Sequence, residues 1–264
     1  MVILKAAGIL LFLKDFLYYS MAIPKIIHQT YRSKELPDDV LLNIEKLRRL
    51  NPGWDYRFYD DDAVIDFIRR EFNSEILRVY EKINPAYGAA RADFFRYLLM
   101  FRVGGVYLDI KSTATQAFDQ VLMPDEEYVL CHWPNRPGES HEGWGFHHVE
   151  EGNLFPAKGE FQNWHIVARP QHPFLHHVIG LVMHQINRYS VAEFGVGQPG
   201  VLVTTGPISY TVAIHKIAGQ YPHRVLPSHR DIGLEYSIYE GDGLVVHREK
   251  LGSHYSSLQA PVVL

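Results

Sequence analysis

Residues 90–111 read ARADFFRYLLMFRVGGVYLDIK, and the fold turns on them. Phe94, Tyr97, Leu98 and Phe101 recur at helical spacing, which predicts a helix with one buried face. Asp93 and Arg96, three residues apart, then share one side of that helix. Ala89, Ala90 and Ala92 carry almost no side chain and leave space beside the pair. Gly104 and Gly105 end the helix, since glycine tolerates the backbone conformations a helix terminus needs. Val106-Tyr107-Leu108 has the bulk and length of a short buried strand, so Asp109 emerges at its tip. Open α/β sheets hold ligands at the carboxyl ends of their strands. An isolated Asp-x-x-Arg is most often a surface ion pair. The glycine pair, strand and terminal Asp109 that follow make this one a candidate site.

Working outward, strands and helices alternate. Lys25–Gln29 reads as a strand. Asp38–Leu50 reads as a helix capped by Asp38 after Pro37 and closed before Asn51-Pro52. Trp54, Tyr56 and Phe58 alternate with Asp55, Arg57 and Tyr59 in a second strand, followed by helices at Asp61–Phe72 and Ser74–Lys82. Beyond the central stretch, Tyr128–His132, Trp164–Ala168 and Leu244–His247 read as strands, and His172–Tyr189 and Pro207–Ala218 as helices. The Gly/Pro-rich segments 134–145 and 195–200 read as loops. Such alternation implies a mainly parallel central sheet flanked by helices in a single domain.

With 264 residues, 47% of them hydrophobic and 21% charged, the chain can bury a full core. A net charge of -4 and the lack of a basic stripe argue against a nucleic-acid partner. The single cysteine, Cys131, excludes an internal disulfide and fits a reducing compartment. The His147-His148 and Glu150-Glu151 cluster lacks the spacing of a metal motif and reads as a solvated loop. Residues 1–21 form an apolar extension interrupted by Lys5, Lys14 and Asp15, too broken for the roughly 20 apolar residues that cross a bilayer. A degenerate anchor, a membrane-surface helix giving peripheral association through residues 1–20, a helix docked on the domain, and a natural start at Met21 all stay open. The expected location is cytoplasmic or membrane-associated.

The central stretch resembles the DXD-containing glycosyltransferases of family 32, which include yeast-type mannosyltransferases and bacterial capsule enzymes. Their signature runs from Asp-x-x-Arg-Tyr through a helix to Gly-Gly-x-Tyr-x-Asp-x-Asp, and Asp93, Arg96, Tyr97, Gly104, Gly105, Tyr107 and Asp109 supply it. Ile23–Thr30, Asn51–Trp54, Tyr56–Tyr59, Asn163, His172-Pro173 and Thr205–Pro207 are similar to further blocks of the family. The resemblance implies a GT-A-like nucleotide-sugar-binding fold, with residues 22–264 as the catalytic domain. The implied reaction moves a hexose, mannose among the options, from a nucleotide-diphosphate donor to a glycan, lipid or protein hydroxyl with retention of configuration. It further implies Asp93, Arg96 and Asp109 as catalytic residues, and His28, Gln29, Thr30, Tyr107, Lys111 and Asn163 around the donor. A divalent metal, manganese or magnesium, would be held by Asp109 with a late residue such as His247 or His254. Trp133, Trp144 and Trp164 are candidates to stack on an acceptor sugar.

One departure stands out: Lys111 occupies the place of the second Asp, the usual metal ligand. An ammonium about 4 Å from a dication is disfavoured by about 8 kcal/mol at an effective dielectric near 20. Lys111 then either contacts the diphosphate as a substitute cation, or turns away from a metal, or marks a catalytically silent nucleotide-sugar-binding relative. A phosphoesterase is a further alternative, though it would show more Asp/His clusters.

Overall fold

The structure, a computed structural model, describes residues 22–146, 156–239 and 255–264. The expected strand Leu244–His247 and the cluster at residues 147–151 lie outside the described residues, as do His247, His254 and residues 1–21. Chain order is β1 (Ile26–Thr30), α1 (Asp38–Leu50), β2 (Asp55–Tyr59), α2 (Asp61–Glu71), α3 (Ser74–Glu81), α4 (Gly88–Val103), β3 (Gly105–Leu108) and β4 (Thr113–Ala114). There follow α5 (Phe118–Val121), β5 (Tyr128–Cys131), β6 (His165–Ala168), α6 (Pro173–Arg188), α7 (Val191–Phe194), α8 (Gly197–Thr204), α9 (Pro207–His215), β7 (Arg224–Leu226) and β8 (Leu234–Glu235).

Among the described residues six strands form the central sheet in the order β2-β1-β3-β6-β5-β7, and β4 pairs with β8 beside it. β1 pairs in parallel with β2 and β3, and β5 with β7; among the described strands of this sheet only β6 runs antiparallel, between β3 and β5. The sheet is therefore mainly parallel. Reversal of β6 has a positional effect, because its first residues lie next to the last residues of β3. The amide N–H of Asp109 donates to the carbonyl of Trp164 (2.9 Å), so the segment entering β6 meets the segment leaving β3.

The central helix α4 departs from expectation: Ala90, Asp93 and every residue from Phe94 to Phe101 are buried. Rather than showing one apolar face, the helix runs through the interior, packed on α2, α6, α8 and on β3 and β6. A largely apolar helix suits a buried position, and its two buried charges, Asp93 and Arg96, must find partners inside the protein. Its end follows expectation. Gly104 (φ 69°) and Gly105 (φ 108°) hold conformations that L side chains avoid, and a Cβ on Gly105 would lie 2.5 Å from the carbonyl oxygen of Ile26.

Two details differ at helix termini. Asp38 is the first residue of α1 and not its cap; Pro37 occupies the cap position, and Asp39 Oδ1 accepts the Val40 N–H (2.9 Å). The segment 195–200 is not a loop throughout, because α8 begins at Gly197. Pro199 falls in the first turn, where no N–H is needed, and the Gly197 N–H donates to the Tyr87 hydroxyl (2.9 Å). None of the described helices is long and apolar enough to cross a membrane.

Candidate functional site

A cavity of about 730 Å³ opens at the carboxyl edge of the sheet, within the size range of small-ligand sites. Thr30 and Arg32 reach it from the end of β1, Asp61 from the end of β2, Asp109 and Lys111 from the end of β3, and Trp133 from the end of β5. Asp93 and Arg96 of α4 form its floor with Asn163 and Tyr107.

The floor is a buried charge network. Arg96 Nη2 lies 3.2 Å from Asp93 Oδ1 and 3.0 Å from Asp109 Oδ1, so one guanidinium joins the helix carboxylate to the strand-tip carboxylate. Arg96 also donates to the backbone carbonyl of Asn163 and lies 4.9 Å above the Tyr107 ring. Asp93 accepts from Asn163 Nδ2 (3.1 Å) and from the Thr205 hydroxyl (3.1 Å). Asn163 Nδ2 also donates to the Tyr97 hydroxyl (2.9 Å), which itself donates to the Thr205 carbonyl (2.9 Å). Burial pushes the Asp93 carboxyl up to about 7, with the nearby Asp109 charge adding to it and Arg96, Thr205 and Asn163 opposing. Burial disfavours the Arg96 charge as well, but Asp109, Tyr107 and Asp93 more than offset this and hold its pKa above the ordinary value.

Past Asp109 the backbone turns instead of continuing as a strand: the Ser112 N–H donates to the Asp109 carbonyl (2.8 Å). Asn43 of α1 donates to the Ser112 carbonyl (2.9 Å), and the Ser112 hydroxyl to the Tyr236 carbonyl (2.8 Å), which locks the turn. The turn nevertheless leaves residues 109 and 111 facing one another. Lys111 Nζ is 3.4 Å from Asp109 Oδ2 and 4.2 Å from the centre of the Tyr236 ring. Burial works against the Lys111 charge, and Tyr236 and Asp109 outweigh it, so its pKa is raised.

A second wall is aromatic. Trp133 lies edge-on to Trp144 (5.0 Å between ring centres) and Tyr236 (5.2 Å), and Trp164 lies 5.4 Å from Tyr236. All three tryptophans named from the sequence line the cavity, with Trp133 and Trp164 buried. Glu160 joins this wall, buried, and burial pushes its carboxyl up to about 7. Sequence reasoning missed Glu160, Tyr236 and Tyr255, all of which line the cavity. The only signal for Glu160 was its place three residues before Asn163.

Of the candidates, Asp93, Arg96, Asp109, Thr30, Tyr107, Lys111 and Asn163 meet at the cavity. His28 and Gln29 do not line it. His28 is fully buried; its Nε2 donates to the Gly104 carbonyl (2.9 Å), its Nδ1 accepts from the Tyr59 hydroxyl (3.3 Å), and burial lowers its pKa to about 4. Such a histidine stays neutral and ties β1 to the end of α4. Gln29 accepts from the Tyr56 hydroxyl (2.9 Å) and donates to the Asp109 carbonyl (3.1 Å), so it acts on the site by holding the Asp109 backbone.

A divalent metal does not fit the described residues. Both Asp109 oxygens are taken by cations, one by Arg96 and one by Lys111. Among the described residues no group of three His, Cys, Asp or Glu side chains is placed to hold an ion.

A GT-A-like architecture, a mostly parallel sheet flanked by helices, is the fold class to which this chain conforms. Two solved structures share it: "PaToxG Glycosyltransferase" (TM-score 0.52, 17% identity, covering 74% of this chain and 70% of that one) and the UDP-bound glycosyltransferase domain from the YGT toxin (TM-score 0.52, 9% identity, covering 78% and 80%). Residues 37–128 match the family described as "Glycosyltransferase sugar-binding region containing DXD motif". Inositol phosphoceramide mannosyltransferase 1 of Schizosaccharomyces pombe is 24% identical over 78% of this chain and 56% of its own length. Mannosyl phosphorylinositol ceramide synthase SUR1 of Saccharomyces cerevisiae is 34% identical over 38% of this chain and 25% of its own. The chain thus spans about half the length of the first and a quarter of the second.

Proposed function

We propose that residues 22–264 form a glycosyltransferase domain that moves a hexose from a nucleotide-diphosphate donor to an acceptor hydroxyl with retention of anomeric configuration. The observation that carries this reading is Arg96 bridging Asp93 and Asp109 on the floor of the cavity. In such a transfer the bond from the anomeric carbon to the diphosphate oxygen breaks, and a bond to the acceptor oxygen forms. The proton of the acceptor hydroxyl leaves with the nucleoside diphosphate. Negative charge grows on the diphosphate while the anomeric carbon becomes cationic, so fixed cations belong at the phosphates and fixed polar groups at the sugar. Lys111 and Arg96 at the strand tip suit the first need. Asp93, Asn163 and the edge of the Arg96 guanidinium suit the sugar hydroxyls, and Thr30 with Arg32 suits the nucleoside side.

The tryptophan wall suits the flat faces of an acceptor sugar. The names of the relatives favour mannose as the sugar and an inositol phosphoceramide as one acceptor class, which would bring the domain to a membrane surface. The test is turnover of a panel of GDP- and UDP-hexoses, followed by release of the nucleoside diphosphate and by the anomeric configuration of the product. Release with one donor and retained configuration support the reading. Binding without turnover, with or without a lipid or sugar acceptor, indicates a silent binding relative, and hydrolysis of simple phosphoesters indicates a phosphoesterase.

A further inference from the structure

We propose that Lys111 replaces the divalent cation of this site, so that the domain holds a nucleoside diphosphate through ammonium and guanidinium groups and works without metal. The inference rests on the glycosyltransferase reading above.

It follows first from charge. A second carboxylate together with a divalent cation would place one net positive charge beside Asp109, and the Lys111 ammonium places the same charge there by itself. A diphosphate entering the cavity then meets the same local balance with one component fewer. Geometry adds a second argument. A metal bridging Asp109 and a diphosphate would have to approach a carboxylate that already faces two cations, Arg96 Nη2 at 3.0 Å from Oδ1 and Lys111 Nζ at 3.4 Å from Oδ2, and like charge opposes it. Nor is Lys111 poised to swing aside. Its side chain is 8% exposed, its ammonium lies 4.2 Å over the Tyr236 ring, and its own carbonyl accepts the Ile238 N–H (2.8 Å). Lys111 lines the cavity, where an incoming phosphate oxygen would complete the shell of its ammonium.

The experiment is calorimetric titration of the full chain with UDP and with GDP, in EDTA and in manganese, for the wild type and for Lys111→Met, Lys111→Arg and Lys111→Asp, with circular dichroism to confirm that each variant is folded. Expected results are wild-type binding of one nucleotide in EDTA that manganese changes less than threefold, at least tenfold weaker binding by Lys111→Met, and substantial retention by Lys111→Arg. Lys111→Asp should bind only when manganese is present. Wild-type binding that vanishes in EDTA and returns with manganese overturns the proposal while leaving the transferase reading intact. So does undiminished binding by a folded Lys111→Met chain. Failure of both nucleotides to bind under either condition overturns the transferase reading, and this inference with it.

Discussion

Replacing Asp93 by Asn probes the centre of the network, because it removes a charge while keeping the shape. In the folded protein burial holds the Asp93 carboxyl at about 7, against an ordinary value of 3.8. Between those two values the folded state keeps a proton that the unfolded chain has released, so this group makes the wild type less stable as pH rises and has no further effect above about 7. From pH 5 to pH 8 the loss spans about two units at 1.36 kcal/mol each, at most about 2.7 kcal/mol. The asparagine of the variant does not titrate. Its amide can also donate toward the Thr205 hydroxyl, which turns to accept, while Arg96 keeps Asp109 as its ion-pair partner. Buried His28, His165, His172 and His229, whose pKa values burial lowers, and Glu160 titrate in both proteins and cancel in the difference. Urea unfolding of both proteins at pH 5 and pH 8 should show Asp93→Asn gaining on the wild type by about 2 to 3 kcal/mol over that range, while sugar transfer falls at least tenfold. A stability difference that does not change with pH would mean that Asp93 is ionised in the free protein, and wild-type turnover in the folded variant would remove it from the sugar site.

Asp109→Ala leaves Arg96 and Lys111 buried side by side without their shared carboxylate; transfer should stop and stability should fall by on the order of 3 kcal/mol. Adding Lys111→Met to that variant should recover part of the stability, and an unchanged melting temperature in Asp109→Ala alone would show that the two cations are compensated elsewhere. His28→Ala should lower stability by about 3 kcal/mol through the emptied space and two lost hydrogen bonds, with the donor KM within twofold of wild type. A raised KM at unchanged stability would instead put His28 at the donor.

The boundaries of α1 were legible because Pro37 and Asn51-Pro52 punctuate them, and the strand before Asp109 because two glycines isolate it. The all-round burial of α4 was not. Asp93 and Arg96 read as a polar face, and no periodicity can say that Asn163, Thr205 and Asp109, up to 112 residues away, complete their bonding. For α8 the difficulty was different: Gly197 and Pro199 look like loop residues until the Tyr87 hydroxyl takes the first amide and Pro199 fills a position that needs none. His28 lies in the middle of β1 and not at its end, and the Gly104 carbonyl claims its ring. Asp109 and Lys111 face each other because the chain turns after β3, which no pattern in the sequence announced.

The reversed strand β6 has a consequence for the newly made chain. The Asp93 carboxylate is sealed by Asn163 and Thr205, which lie 70 and 112 residues downstream. At the usual pace of translation those partners arrive on the order of 10 s after the helix that needs them. Until then the helix bearing Asp93 and Arg96 has nothing to seal it, and its charges must stay in water. On the reading proposed above, donor binding marks the moment when the last of these segments has docked, and a ligand titration of nascent or truncated chains would read out the completion of folding itself.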